Sequence, residues 1–275
     1  MRKHDLVNRR IWEIDALRGY VILWVLIYHA YTAVYTMLIN VDYTGINPLQ
    51  LVQSFDPNSF FFKVSGNHVE KAAFYQFMDV FHAPFVDLLF VISGISFHFS
   101  KNHLKNGFRL LAGAAFVSLF TWMLTIITGD KHQFIRFGVL HCYALCHLIY
   151  YFLLENRKTS ILIFVAILSL AIGYYLKNNP ISSDWALLVP FGIYENGAIQ
   201  RDYWPVFPML GWLLIGVILG KRFYSKKETL FPGQAARKWH RPLCFLGRYS
   251  GWIYCGHMVV YTIVFCGIGY FFDLY

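Results

Sequence analysis

Ile14-Asp15-Ala16-Leu17-Arg18-Gly19 leads into Tyr20-Val21-Ile22-Leu23-Trp24-Val25-Leu26-Ile27-Tyr28-His29, a stretch that points to a membrane-spanning helix. An acid, an arginine and a histidine are threaded into an apolar segment long enough to cross a bilayer. Ionisable groups inside such a segment are costly and point to function. On a helix, the step from Arg18 to His29 covers roughly 16 Å and returns to nearly the same face. One stripe therefore carries a cation near one membrane surface and an imidazole past the middle of the span.

Composition agrees with that reading. Apolar residues make up 57% of the chain and charged residues 14%, against about 25% charged in a soluble domain. The expected fold is all-α, a polytopic transmembrane helical bundle forming a single domain over 1–275. Spans are expected at 16–38, 80–99, 108–129, 137–154, 161–176, 204–220 and 246–272, each near the length a bilayer requires. The count is about seven, with a range of 7 to 9, and 185–194 is a further candidate for a half-span or an interfacial piece. The first span is expected to stay in the mature protein, because no small-residue cleavage site follows it.

Basic residues set the expected orientation. With the N-terminus in the cytoplasm, the inner segments hold Arg2, Lys3, Arg9, Arg10, Lys101, Lys105, Arg109, Arg157, Lys158 and the cluster from Lys221 to Arg241. The outer segments hold only Lys63, Lys71, Lys131, Arg136, Lys177 and Arg201. The net charge of +9 then reflects topology and attraction to anionic headgroups, with no argument for nucleic acid. The basic loop 221–242 reads either as a solvated topogenic loop or as a holder for an anionic cofactor. Five cysteines form an odd set lying mostly within spans, so no disulfide framework is implied. The absence of an internal repeat gives little support to an inverted-repeat transporter.

Depth sorts the candidate functional residues. Arg18 lies one turn inside the cytoplasmic end of the first span with Asp15 three residues before it, an arrangement that also suits a snorkelling topological anchor. His29 lies too deep to snorkel, and its side chain has the unperturbed pKa for proton transfer near neutrality; a helix-packing histidine is the alternative. Arg248 and His257 repeat the pair in the last span. Read as one helix, their offset points them to different faces. His82, His141 and Asp202 cluster by depth on the outer side. The spacing from His82 to Asp87 matches a glycerolipid acyltransferase dyad, but a helix separates the two by about 140°. His141, Cys142, Cys146 and His147 do not converge as a metal site, since only the two cysteines share a face.

These residues carry a resemblance. The Ile14–Gly19 stretch with His29, Phe137-Gly138-Val139-Leu140-His141, Asp202-Tyr203-Trp204-Pro205-Val206-Phe207-Pro208-Met209-Leu210-Gly211, and Phe245-Leu246-Gly247-Arg248-Tyr249-Ser250 with Ile253, Tyr254 and His257 occur in order. The chain resembles the heparan-alpha-glucosaminide N-acetyltransferase catalytic domain family in its short bacterial form. Val86-Asp87-Leu88-Leu89-Phe90-Val91-Ile92-Ser93-Gly94 also resembles a signature of the broader acyltransferase-3 membrane superfamily. The resemblance implies acetyl transfer from cytosolic acetyl-CoA, without a metal, to a glucosamine-like or other glycan acceptor across the bilayer. It also implies a bacterial plasma-membrane location.

Under that resemblance Arg18 and Arg248 hold CoA phosphates, and His29, His82 and His257 are the catalytic histidines. The base is open between His29 and His82, and His257 polarises the thioester. His141 and Asp202 contact the acceptor. A homodimer is also an open alternative. Lysosomal members carry a luminal region and further spans that this sequence lacks, which weighs against heparan fragments as the acceptor. Two other classes compete: a small-solute permease or channel, and a non-catalytic membrane scaffold.

Overall fold

Small residues turned inward and large ones turned outward organise the packing. In the helix Thr159–Asn178, Leu162, Ala166, Ser169 and Gly173 are buried, while Ile163, Phe164, Ile167 and Leu168 are exposed. A water-soluble protein reverses this arrangement. Helices surrounded by lipid gain nothing by hiding large apolar side chains, and they associate through small residues that let backbones approach. The computed structural model describes residues 11–40, 63–65, 68–70, 73–100, 102–129, 134–196, 202–234 and 238–271. Much of the long loop 40–78, together with Arg2, Lys3, Arg9, Arg10, Lys71, Lys101, Lys131, Arg201 and Arg237, lies outside the described residues.

The chain is mostly helical. In order, the helices are α1 (Trp12–Asn40), α2 (Ala73–Phe97), α3 (His103–Thr128), α4 (Val139–Ile149), α5 (Thr159–Asn178), α6 (Val206–Phe223), α7 (Arg241–Arg248) and α8 (Ser250–Phe271). A π-helical turn, Tyr150–Leu154, continues α4. A short antiparallel hairpin pairs β1 (Lys63–Ser65) with β2 (His68–Glu70). A two-residue parallel pair joins β3 (Ser182–Ser183) to β4 (Tyr194–Glu195).

Among the described residues, four stretches are long and apolar enough to cross a membrane: Gln76–Phe97, His103–Ile127, Thr159–Asn178 and Val206–Phe223. They coincide with four of the expected spans, and the shorter apolar helix Val139–Leu154 with a fifth. The first and last expected spans fall on α1 and on α7 with α8.

Two expectations are corrected. The last span is not one continuous helix: it breaks at Tyr249 into α7 and α8. Gly247, Ser250 and Gly251 surround the break, and their weak helix propensity favours a bend there. Tyr249 N still donates to Phe245 O (3.2 Å) and Ile253 N to Tyr249 O (2.9 Å), so the ladder survives it. The segment 185–194 is not a half-span either; it holds a six-residue 3-10 turn, Ala186–Phe191, with Pro190 inside it. Proline and tight 3-10 geometry both limit extension.

Contacts divide the chain into two compact units: Met1–Asp15 with Asp87–His240, and Ala16–Val86 with Arg241–Tyr275. In the first unit, the C-terminal part of α2 lies directly on α6. A Cβ on Gly94 would fall 2.0 Å from Leu213 O, and one on Gly216 2.0 Å from Val91 O, so the two backbones are in contact. Along α6, Gly211 N donates to the buried Ser169 Oγ of α5 (3.0 Å).

The basic loop after α6 is tied down in the same unit. Buried Glu13 accepts from Thr229 Oγ1 and Leu230 N, both at 2.8 Å. Trp12 stacks on His240 with ring centroids 4.3 Å apart. Burial, then the Glu13 carboxylate, pushes the Tyr224 phenol up to about 12. The loop 221–242 is mostly exposed, as a solvated loop is, and this anchor fixes it at one point: a buried carboxylate must find donors, and the loop supplies them. In the second unit, α1 packs on the N-terminal part of α2 through Trp24 stacked on Phe85 (4.4 Å, 4° between planes). It meets α8 through Tyr261 Oη, which donates to Leu26 O (2.9 Å).

Candidate active site

The second unit brings together five of the candidate residues. At one end, α1 crosses α7 without intervening side chains: a Cβ on Gly19 would sit 1.9 Å from Leu243 O and 3.0 Å from Gly247 N. Only glycine permits that approach. Arg18 and Arg248 are the chain neighbours of these two glycines, so their backbones lie at the same end of α1. Arg18 is half-buried and Arg248 exposed.

Farther along α1, His29 meets His257 of α8. His29 Nδ1 lies 2.6 Å from His257 Nε2, and the rings stack with centroids 4.9 Å apart. His257 Nδ1 is hydrogen-bonded to the Tyr254 carbonyl. A carbonyl only accepts, so His257 carries its proton on Nδ1 and, when neutral, presents Nε2 as an acceptor. His29 must then donate from Nδ1, which leaves its Nε2 as the unprotonated nitrogen. The network assigns this tautomer.

His82 of α2 completes the cluster, its ring 6.3 Å from that of His29. It stacks on Tyr28 at 3.9 Å with 13° between planes. Tyr28 Oη in turn donates to Asp79 Oδ1 (3.5 Å). Asp79 and Tyr261 did not stand out in the sequence, and Tyr28 and Tyr254 stood there only as motif residues without a role, although a signal existed. Each is adjacent to a candidate histidine or within four residues of one on a helix, where side chains are neighbours.

His141 and Asp202 occupy the first unit and have a different setting. Asp202 Oδ2 accepts from Val139 N (3.3 Å), and Oδ1 from Trp204 Nε1 (3.1 Å). His141 Nδ1 accepts from Gly138 N (3.2 Å), and its Nε2 faces Ser118 Oγ (3.1 Å), which donates to Ile135 O (2.7 Å). Both side chains thus satisfy amides at the start of α4, groups that a helix leaves without internal partners. Cys142 and Cys146 face each other with sulfurs 3.9 Å apart, both buried. Among the described residues no group of three or more His, Cys, Asp or Glu side chains is placed to hold a metal ion. His68, the histidine of the loop between the first two expected spans, has its side chain outside what is described.

Residues 59–259 match the family described as heparan-alpha-glucosaminide N-acetyltransferase, catalytic. The chain belongs to this family. No curated protein and no solved structure matches the chain. Membership in the heparan-alpha-glucosaminide N-acetyltransferase catalytic family suggests a transferase, and specifically an acetyltransferase. His82, His141, Asp202, Arg248 and His257 fall inside the matched stretch, while Arg18 and His29 precede it. His29 is linked to the matched part through its bond to His257.

Proposed function

We propose that this protein is an integral membrane acetyltransferase of the bacterial plasma membrane. It takes an acetyl group from acetyl-CoA at the cytoplasmic side and passes it to an amino sugar or sugar hydroxyl on the opposite side. The observation that carries the reading is the His29–His257 pair, whose tautomer leaves an unprotonated nitrogen on His29. The pair lies roughly 16 Å along α1 from the Arg18–Arg248 crossing.

Acetyl-CoA is the donor substrate. Two guanidinium forks at the crossing suit its phosphate oxygens, and the extended pantetheine arm matches the distance to the histidines. His29 Nε2 takes the proton of the acceptor amine or hydroxyl as that nitrogen or oxygen bonds to the thioester carbonyl carbon. Collapse of the adduct breaks the carbon–sulfur bond. The proton on His29 then leaves with the departing thiolate, returning His29 to its neutral form.

With both nitrogens engaged, His257 orients His29 rather than polarising the thioester. His82 faces the same space from α2 and contacts the acceptor. His141 and Asp202 act at one remove, shaping the start of α4.

The test uses purified protein in proteoliposomes with labelled acetyl-CoA and both amino-sugar and hydroxyl acceptors. Wild type transfers label, and His29→Ala reduces transfer by about 10²- to 10⁴-fold, the usual contribution of a general base, while CoA still binds. Undiminished transfer by His29→Ala overturns the assignment of the base. No transfer to any acceptor together with no CoA binding overturns the reading as a whole, and solute flux in the same liposomes would then favour the permease alternative.

A further inference from the structure

A second polar cluster, outside the histidine site, lies in the first unit where the end of α2, the start of α3 and the turn after α4 meet α6. There His98, Ser100, His103, Tyr150, Glu155 and Lys221 line a pocket of about 230 Å³. The His103 side chain is only 10% exposed, and its Nε2 lies 3.4 Å from Glu155 Oε1. His103 Nδ1 and His98 Nε2 are buried with no hydrogen-bond partner among the described residues. Buried polar nitrogens without partners are costly and call for an explanation.

The donors here outnumber the acceptors. Ser100 Oγ accepts from Asn106 Nδ2 (3.0 Å) and from Asn102 N (3.4 Å), so its own hydroxyl proton is left to donate. Lys221 brings three N–H donors and a positive charge. His103 in its protonated form donates from Nδ1 while Nε2 holds Glu155. Glu155 is the one carboxylate of the lining, and His103 engages it.

We infer that this pocket binds a phosphate-bearing anion, with Lys221, Ser100 and the imidazoles of His98 and His103 surrounding its oxygens. The volume admits a phosphate together with part of the group that carries it. The position, where several helix ends meet, is open to two sources of that chemistry: a soluble phosphate compound and the headgroup of an anionic lipid.

Thermal unfolding of the full chain distinguishes them. In neutral detergent the protein is titrated with inorganic phosphate and, separately, with coenzyme A. In lipid nanodiscs, phosphatidylglycerol is compared with phosphatidylcholine. Lys221→Gln and Ser100→Ala are the variants, and each ligand-induced shift is read from the variant's own unliganded midpoint, because Ser100→Ala also loses the bonds from Asn106 Nδ2 and Asn102 N.

Saturable stabilisation by inorganic phosphate or coenzyme A that weakens about tenfold in Lys221→Gln supports a soluble ligand, that factor being the usual loss for one charge-assisted hydrogen bond. Stabilisation by phosphatidylglycerol alone that falls in the same variants supports a lipid headgroup. Stabilisation by none of these, or stabilisation undiminished in both variants, overturns the inference.

Discussion

His257 is the residue through which the tautomer of His29 is set, and this separates its role from that of the base. Tyr254 O fixes one nitrogen of His257 and His29 fixes the other, so in the proposed mechanism its action passes through His29. Replacing it with leucine removes the acceptor that keeps the proton on His29 Nδ1. Acetyl transfer is expected to fall roughly 10²-fold or more, as when other enzymes lose the orienter of a catalytic imidazole, with KM for acetyl-CoA unchanged. His257→Gln restores part of the rate, because the amide oxygen accepts from Nδ1–H. The pH profile of kcat/KM also shifts in His257→Leu, which a purely structural role would not cause. At the other end of α1, Arg18→Gln is expected to do the opposite: KM for acetyl-CoA rises about tenfold to a hundredfold, the worth of a charge-assisted hydrogen bond, while kcat changes little. Equal loss of kcat in both variants would place the two residues in one structural cluster and remove the division of labour.

At the scale of elements, close backbone contacts hold the helices in register. Gly216 on α6 has Val91 O of α2 where its Cβ would go, and both sides of that contact are main chain, which cannot swing aside. Gly216→Val is expected to destabilise the protein by about 1–3 kcal/mol, the usual cost of overpacking. Gly233→Ala is the control, since nothing lies within 4 Å of its added Cβ. Thermal unfolding in detergent that shows equal midpoints for the two variants would rule out this packing argument. The helices themselves were legible from apolar length, and five expected spans coincide with apolar helices for that reason. The break at Tyr249 and the 3-10 turn at Ala186–Phe191 were not. Hydropathy is the same whether an apolar run is straight, bent or wound tightly, and the difference lies in local backbone preference.

Across the whole molecule, legibility followed how far a signal travels along the chain. Arg18, His29, Arg248 and His257 stood out as ionisable groups in apolar segments, and the second unit gathers them with His82. His141 and Asp202 stood out by their depth on the outer side, yet their hydrogen bonds go to the start of α4. An amide that needs a partner leaves no mark in composition. Nor does the donor pair that Glu13 finds in Thr229 and Leu230, more than two hundred residues later. Orientation rests on the one long-range signal in the chain, the bias of basic residues, and it is open to a direct test. Cysteine placed at Gly233, on the basic loop with open space around it, should react with a membrane-impermeant maleimide in inverted plasma-membrane vesicles and resist it in intact spheroplasts, in a background whose own cysteines are replaced. In the proposed mechanism, acetyl-CoA added from the cytoplasmic face reaches the Arg18–Arg248 crossing only if this loop and the start of α1 lie on that face. Labelling in spheroplasts would reverse the proposed direction of acetyl transfer while leaving the histidine chemistry as it stands.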